Sequence, residues 1–326
     1  MGEFSGISKP QFAVRSSKKG FNELRTTNDE LRIQSPENKI FISMFTIINK
    51  QILGKEIKRL DIEAPQIARS FQPGQFVMVC SEQGGKWIPL TIVESDTRRG
   101  IISIIFKETG AATRLLGTLP IQDEIFAVSG PFGTIRKPTQ VGVVVCVTTG
   151  VAAAQILPVC RAYSRAGNKV IGVLGAGTKS GLILEPQMRI ACHRVVFTTE
   201  DGSYQRRGKA ASAVKELLEK EDVHLVYSAG DVEMMRDVAQ MTARKDIPNL
   251  IQVQTVISCG RGICGSCRVK VDHQMMLTCE DGPEFDGHKM DYEYLKHRMD
   301  HVCRHDGEHA GAVRKTGGFL KKLFEG

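Results

Sequence analysis

VGVVVCVTTGVAAAQILPVCRAYSRAGNKVIGVLGAG, residues 141–177, is the stretch that most clearly indicates the fold of this 326-residue chain. Its first seven residues form a continuous apolar run, which predicts a strand buried on both faces. Residues 151–167 then show helical periodicity, and the following Asn168 completes a suitable end for a helix. A second buried strand begins at Lys169. Strand, helix and strand in this order predict a βαβ unit with parallel strands.

The same alternation of strands and helices continues downstream and predicts a doubly wound parallel sheet of the nucleotide-binding type. Upstream, short strands separated by Gly and Pro turns predict a small antiparallel barrel. The first residues of the chain are polar and lack the apolar segment of a secretory signal, so an extended arm is expected there. The predicted domains are an N-terminal arm at 1–38, a barrel at 39–136, an α/β domain at 137–257, a cysteine-rich module at 258–303 and a tail at 304–326.

Four cysteines follow the α/β region with the spacing C-x4-C-x2-C-x11-C: Cys259, Cys264, Cys267 and Cys279. The first three match the plant-type spacing of 2Fe–2S proteins, in which the fourth thiolate comes from further along the chain. Glycines at 260, 262 and 265 allow a short loop to wrap around a cluster and leave backbone N–H groups free to point at sulfur. These four cysteines are therefore the predicted metal ligands.

Structural zinc is the alternative reading of the same cysteines. Zinc sites are usually built from two C-x2-C pairs, and here only Cys264 and Cys267 form such a pair. The spacing and the glycine content favour the iron–sulfur interpretation over zinc. A disulfide framework is disfavoured, because a chain of this length needs no covalent staples and shows no secretory signal.

Composition limits the partners and the compartment. The net charge of +8 is spread along the chain, which favours acidic partners such as acidic electron carriers and gives no specific indication of nucleic acid; a merely basic surface is the simpler alternative. No apolar run approaches the roughly 20 residues of a membrane span. Nine cysteines without a signal segment indicate a reducing, cytoplasmic setting. The sequence gives no role for Cys303.

Three motifs in the barrel region resemble those of ferredoxin-reductase-like flavoproteins. WIPLT at 87–91 resembles the R-x-P-[LI]-[ST] segment that lays the flavin against the barrel, and KETGAAT at 107–113 resembles the K-x-x-G-x-x-T turn that meets the flavin pyrophosphate. GPFG at 130–133 resembles the G-P-[LF]-G that closes the barrel. The resemblance implies FAD, bound by Trp87, Pro89, Leu90, Thr91, Lys107, Gly110, Ala112 and Thr113. Trp87 replaces the family's arginine, so we expect the flavin diphosphate to be bound differently, with Lys86 supplying the positive charge.

The nucleotide motifs match the same family only in part. TTGVAAA at 148–154 stands where the family has G-G-G-x-G-x-A, and Gly175–Lys179 lacks the arginine of the family's G-A-R. TEDGS at 199–203 matches T-[DE]-D-G-S and is expected near the nicotinamide end, while Asp231 replaces a proline after Gly230. The implied NAD(H)-binding residues are Gly150, Asp201, Gly202, Ser203 and Gly230. A weak site and a vestigial site with only a structural role are both compatible with this pattern.

CEDGPEFDGH at 279–288 resembles the C-x-D-G-P-x-F-x-G-[HK] string of one subgroup of these flavoproteins. That subgroup contains the electron-transfer subunit of dihydroorotate dehydrogenase and the small subunit of NADH-dependent ferredoxin:NADP oxidoreductase. Some members have aspartate at the first cluster position, where this chain has Cys259 and hence four thiolates. The acidic residues of 280–291 are better explained as a polar loop over the cluster than as a metal site.

The resemblance implies an FAD and 2Fe–2S electron-transfer subunit of an NAD(P)-linked oxidoreductase. Such a subunit converts hydride transfer into single-electron transfer to a larger iron–sulfur or flavoprotein subunit, with ferredoxin as a further partner and electron bifurcation as an implied role. The alternative is an electron-wire or scaffold subunit whose nicotinamide site is inactive; a standalone NADH:ferredoxin reductase is a third reading. No catalytic side chain is assigned.

Overall fold

The structure, a computed structural model, describes residues 45–300. Predictions for the arm at 1–38, for Cys303 and for the tail at 304–326 lie outside the described residues, as does the start of the predicted barrel at 39–44.

The first half of the described chain is a nearly closed antiparallel sheet, as the sequence predicts. Its strand order is β6-β1-β2-β5-β4-β3-β7, and its apolar side chains fill one core. Two short helices, which the sequence pattern did not indicate, close its ends. The elements are β1 Phe45–Gly54, β2 Ile57–Glu63, α1 Pro65–Ser70, β3 Phe76–Cys80, β4 Ile88–Asp96, β5 Ile101–Lys107, α2 Ala111–Thr118, β6 Glu124–Ile125 and β7 Ala127–Phe132.

The second half contains a seven-stranded sheet in the order β11-β10-β9-β8-β12-β13-β16. All of its pairs are parallel except that of β13 with β16. Its elements are β8 Val143–Thr149, α3 Ala153–Arg165, β9 Lys169–Ala176, α4 Glu185–Ala191, β10 Arg194–Thr199, β11 Arg206–Arg207, α5 Ala210–Lys220, β12 Leu225–Ala229, α6 Val232–Ala243, β13 Asn249–Gln252, β14 Arg268–Val271, β15 Gln274–Leu277 and β16 Glu284–Asp286.

Both faces of this sheet are buried, which explains the continuous apolar run that opens it. Along β8, Val144 and Cys146 belong to the core beneath α3 and α4, whereas Val145 and Val147 belong to the core beneath α5 and α6. Successive side chains of a strand point to opposite faces, so a strand covered on both sides has no polar alternation. The prediction of a doubly wound sheet is confirmed.

The cysteine-rich segment folds onto both preceding parts. Its strands β14 and β15 form an antiparallel hairpin, and β16 pairs with β13, with Ile251 opposite Phe285. The last strand of the α/β sheet therefore comes from beyond the cysteines. Residues 292–300 are helical, and no helix among residues 45–300 is long and apolar enough to cross a bilayer.

A charged cluster joins the barrel to the α/β sheet. Glu94 on β4 accepts hydrogen bonds from Arg59 on β2 (2.7 Å) and from Arg161 on α3 (2.6 Å). The Glu94 side chain is 27% exposed. Burial by itself would raise the pKa of the Glu94 carboxyl, but the hydrogen bonds and positive charges of Arg161 and Arg59 hold the pKa below its usual value. The carboxylate thus stabilises the junction of the two parts.

We expect Glu94→Gln to lower the free energy of unfolding by about 1–2 kcal/mol at pH 7, because the two arginines lose their charged partner in a half-buried setting. Because the folded-state pKa is depressed, the stabilisation is present above the unfolded-state value of about 4.3 and is lost as pH falls through the folded pKa. Urea unfolding of the cofactor-loaded protein at several pH values measures this.

Glu63→Gln is the matched control, since Glu63 lies on β2, the strand that also carries Arg59, and is exposed. Its urea midpoint should stay with that of the unchanged protein. Equal midpoints for the Glu94 and Glu63 variants at pH 7 would show that the charged cluster does not stabilise the junction.

Candidate functional site

The hairpin β14–β15 brings together two of the four predicted ligand cysteines. Cys267 immediately precedes β14 and Cys279 follows β15, and the backbone of Thr278 donates to the Cys267 carbonyl (3.0 Å). The two sulfur atoms lie 3.3 Å apart and both residues are buried. Cys259 and Cys264 lie in the preceding loop and are half-buried and exposed, respectively.

The cysteine loop directs backbone N–H groups at sulfur. Cys259 Sγ accepts from the N–H groups of Arg261 (3.4 Å) and Cys264 (3.5 Å), and Cys279 Sγ accepts from Gly262 (3.3 Å). Gly262 has a φ of +69°, a left-handed conformation that glycine adopts without strain. This is the environment that thiolate ligands of an iron–sulfur cluster require, since N–H donors stabilise charge on sulfur.

Backbone N–H donors and burial shift the pKa values of two of these thiols in opposite directions. The backbone donors of Arg261 and Cys264 lower the pKa of Cys259 to about 6. Burial raises the pKa of Cys279 to about 12. Among residues 45–300, no three His, Cys, Asp or Glu side chains surround a position for a single metal ion.

A small apolar core connects the cysteine loop to the barrel. Phe76 and Met78 of β3 pack in one cluster with Ile257, Cys267 and Cys279. Phe132 adjoins this cluster, with its ring centroid 5.8 Å from that of Phe76. A Cβ at Gly260 would lie 2.9 Å from Met78 Cγ, so the loop approaches β3 more closely than a larger residue would allow.

A cleft of about 290 Å³ lies beside this core, between the barrel, the start of α3 and the segment 252–257. It contains five of the eight residues predicted to bind FAD, namely Pro89, Leu90, Thr91, Lys107 and Thr113, and also Phe76. Trp87, Gly110 and Ala112 do not line it. Trp87, the residue that replaces the family's arginine, immediately precedes β4 and is 36% exposed.

Gly110 and Ala112 instead form the N-terminal turn of α2. Thr113 Oγ1 accepts a hydrogen bond from the backbone N–H of Gly110 (3.0 Å) and fixes this turn. A side chain at Gly110 would meet no neighbouring atom, which leaves open space in front of the turn. At the other end of α2, Lys50 and Lys58 each donate to the Gly117 carbonyl (2.7 Å). The positive charges of the lysines complement the negative C-terminal end of α2, and the N-terminal end of α2 adjoins the open space in front of Gly110.

The cleft wall contains buried polar side-chain atoms that a ligand could hydrogen-bond. Gln155 Oε1, Gln252 Oε1 and Thr255 Oγ1 are buried and have no hydrogen-bond partner within the described part of the chain. Buried polar groups are rarely left unpaired in proteins. A flavin ring offers both polar edge atoms and an apolar face, so the residues present fit the group that the sequence implies.

A second crevice, of about 610 Å³, opens at the carboxyl ends of the parallel strands. It lies where the strand order reverses, between β8 and β12, the position at which open α/β sheets bind ligands. Gly150 lines it and has a φ of +54°. Lys107, Val151 and Met299 line both this crevice and the first cleft. The two spaces therefore adjoin.

Three further predicted nucleotide residues lie at a more distant strand end. Asp201, Gly202 and Ser203 follow β10, which lies two strands from β8. Their expected position near the nicotinamide end remains a prediction. Asp201 Oδ1 accepts from the Ser203 N–H (2.9 Å), and Ser203 Oγ accepts from the Lys179 N–H (2.8 Å). This turn orders the loop after β9, and of it only Glu200 lines the crevice.

Several lining residues were not singled out from the sequence. Phe76, Gln155, Gln252 and Met299 carry no motif, because they reach the cleft from four different elements. One signal was available for Gln155, a polar residue in the otherwise apolar run AAAQILPV at 152–159. The structure buries it, 3% exposed.

Comparison with known proteins identifies the two outer parts of this arrangement. Residues 44–136 match the family described as the oxidoreductase FAD-binding domain. Residues 254–291 match the iron–sulfur cluster binding domain of dihydroorotate dehydrogenase B. The iron–sulfur interpretation of the cysteine module thus holds against zinc.

Relatives extend the match across the whole described region. A dihydroorotate dehydrogenase B (NAD(+)) electron transfer subunit homolog from Thermotoga maritima is 30% identical over 78% of this chain and 89% of the relative. An uncharacterized protein of Clostridium beijerinckii is 32% identical over 78% of this chain and 90% of the relative.

A solved structure shows the same architecture. A chain of the NADH-dependent reduced ferredoxin-NADP oxidoreductase, a structure described for flavin-based electron bifurcation, aligns with a TM-score of 0.75 at 29% identity, covering 78% of this chain and 92% of that one. The FAD domain, the α/β sheet and the cysteine module thus occur together in proteins of one kind. The chain belongs to the family of dihydroorotate dehydrogenase B electron-transfer subunits and their homologues, which are oxidoreductase subunits with an FAD-binding and an iron–sulfur domain.

Proposed function

We propose that this chain takes hydride equivalents from a nicotinamide dinucleotide and passes them on as single electrons within a larger oxidoreductase complex. One observation carries the proposal: the wall of the flavin cleft and the cysteine site are continuous. The segment 252–257 lines the cleft and ends two residues before Cys259. Phe76 lines the cleft and packs in the same core as Cys267 and Cys279.

The roles of the chain's residues follow from this arrangement. When bound, FAD exchanges electron pairs with nicotinamide and single electrons with a 2Fe–2S cluster. We assign the ring-binding wall to Pro89, Leu90 and Thr91 and the pyrophosphate turn to Gly110, Ala112 and Thr113, with Lys107 between them. The four cysteines hold the cluster. Trp87 is assigned only a packing role at the rim, because it does not line the cleft.

Access for the dinucleotide is supported by the adjoining spaces. The crevice at the end of β8 meets the flavin cleft at Lys107, Val151 and Met299. A ligand that lies along the crevice can thus reach the flavin wall. Gly150 and Gly230 flank its phosphate end in this proposal, whereas Asp201, Gly202 and Ser203 support the crevice from the β10 side. The domain bounds 39–136, 137–257 and 258–303 remain proposals of the same kind.

A partner subunit is expected at the exposed side of the cysteine loop. Cys264 is exposed, and the neighbouring Ile263 is 81% exposed, so the outer ligand is reachable by a second protein. The bifurcation described for the similar solved structure supports a larger flavin and iron–sulfur subunit as the acceptor, with ferredoxin as a further partner. We propose a reducing cytoplasmic location, because all eight cysteines within residues 45–300 are free thiols.

A second function is favoured by the nucleotide turn itself. Thr148 and Thr149 stand where the family pattern has glycines, and Thr149 lines the crevice, where its side chain restricts the approach of a dinucleotide. In this alternative the chain is an electron wire or scaffold that receives electrons from another subunit and never from NAD(P)H.

Anaerobic titration of the purified FAD-loaded protein with NADH, and separately NADPH, distinguishes the two functions. We expect the flavin absorbance to bleach with about one equivalent of dinucleotide, since hydride transfer reduces flavin by two electrons. A flavin that dithionite reduces but neither dinucleotide does would support the electron-wire function instead. A protein that binds neither flavin nor iron would contradict both.

We further expect Cys264→Ser and Cys279→Ser to abolish or strongly reduce the visible absorbance of the iron–sulfur cluster while FAD is retained, because serine oxygen is a poor replacement for a thiolate on iron. Iron, acid-labile sulfide and FAD are measured per chain, and the intact protein should contain about two irons per FAD.

Cys192→Ala is the matched control for loss of a thiol, because Cys192 is buried in the α/β core rather than in the loop. It should retain iron, sulfide and FAD at the level of the unchanged protein. Full retention of iron and sulfide in both serine variants would show that these cysteines are not ligands.

A further inference from the structure

A hydrogen bond joins two residues that line the nucleotide crevice and that both depart from the family pattern. Thr149 ends β8, and Asp231 follows β12. The backbone N–H of Asp231 donates to Thr149 Oγ1 at 3.0 Å. The strand order reverses between β8 and β12, so this bond joins the two adjacent strand ends at which the crevice opens.

The residues that the family pattern has at these positions cannot form this bond. Glycine at 149 has no hydroxyl to accept it, and proline at 231 has no N–H to donate it. The Thr149 hydroxyl also lies against Gly230, where a Cβ would collide with it. Gly230 has a φ of +139°, a backbone conformation that residues with a side chain rarely adopt. The two departures thus fit each other.

The same bond holds a carboxylate at the crevice. Asp231 is exposed and lines the opening together with Gly150 of the phosphate turn. The described lining has five carboxylates, Glu200, Asp231, Glu233, Asp237 and Asp300, against three lysines, Lys107, Lys209 and Lys296. Lys296 and Glu233 pair with each other at 2.7 Å, which leaves four carboxylates against two lysines. The crevice is therefore unfavourable for a diphosphate, which prefers cations and free N–H groups.

We propose that Thr149 and Asp231 form a brace between the two strand ends at the nucleotide crevice and that this brace determines the affinity of the crevice for a dinucleotide: the Thr149 side chain occupies space beside the phosphate turn, and the Asp231 carboxylate repels phosphate. This inference rests on the proposed use of the crevice by a nicotinamide dinucleotide. The brace then keeps binding weak, so that occupancy of the crevice follows the dinucleotide concentration over a wide range instead of saturating.

Equilibrium binding to the FAD-loaded protein tests the brace, measured by calorimetry with NAD⁺ and NADP⁺ so that no reduction interferes. Thr149→Gly, which removes the hydroxyl and the bulk, should lower the Kd for both ligands by about three- to fivefold, and Thr149→Ser, which keeps the hydroxyl, should stay within about twofold of the unchanged protein. Asp231→Asn, which keeps the N–H, should lower the Kd for NADP⁺ more than for NAD⁺, because NADP⁺ carries an additional phosphate.

Asp231→Pro supplies a second removal of the brace. The φ of Asp231 is −62°, which is the value that proline requires, so the backbone accommodates the change. It should lower both Kd values at least as far as Asp231→Asn. Unchanged or higher Kd values for Thr149→Gly and Asp231→Pro would overturn the proposal, as would the absence of measurable binding in every variant.

Flavin reduction is scored separately from binding. If the variants bind dinucleotide as expected but NADH never reduces the flavin, the proposed hydride entry fails and the brace stands. If NADH reduces the flavin but binding does not respond to Thr149→Gly, the brace fails and the proposed function stands.

Discussion

The arrangement of this protein depends on the buried contact between the barrel strand β3 and the cysteine hairpin. Phe76 and Met78 are 4% and 2% exposed and share a core with Cys267 and Cys279. Burial of one such large side chain stabilises a fold by about 1.5–3 kcal/mol. Here the same contact also sets the position of two predicted cluster ligands beside the cleft, because Phe76 lines that cleft. In the proposed function, packing and electron transfer therefore depend on the same few side chains.

The string DGPEFDGH secures this contact from the other side. The N–H of Thr134, which follows β7, donates to the Gly282 carbonyl (2.6 Å). The N–H of Val253, which follows β13, donates to the Pro283 carbonyl (2.9 Å). The turn is thus hydrogen-bonded to both the barrel and the α/β sheet. Gly282 lies against the Phe285 ring, where a Cβ would collide. His288 Nε2 forms a hydrogen bond with Thr242 Oγ1 on α6 (2.9 Å), which gives this histidine a structural role. The subgroup motif of the sequence therefore makes hydrogen bonds to three other parts of the structure, at Thr134, Val253 and Thr242.

The sequence predicted the parts of the fold that local periodicity determines. The strands of the barrel and the strands and helices of the doubly wound sheet are indicated by hydrophobic patterns within short segments. The four cysteines likewise lie within 21 residues of one another. Residues near each other in the chain are therefore sufficient to indicate these features. It did not predict β16 as the last strand of the α/β sheet, because that pairing joins Glu284 to Gln252 across the whole cysteine loop. Gln155 and Met299 were missed for the same reason. A motif does not reveal the order of strands in a sheet, so the sequence did not indicate that TEDGS would follow a strand two places from β8. The residue assignments for FAD and the dinucleotide remain predictions.

In the proposed function, one chain divides an electron pair between two neighbouring sites. Rapid-freeze EPR after anaerobic mixing of the holo-protein with one equivalent of NADH detects this division. We expect the signal of a reduced 2Fe–2S cluster, arising together with the loss of oxidised flavin absorbance and approaching one spin per chain when the reductant is in excess. Bleached flavin with a cluster that stays oxidised, although dithionite reduces it, would show that the electron pair is not divided within this chain.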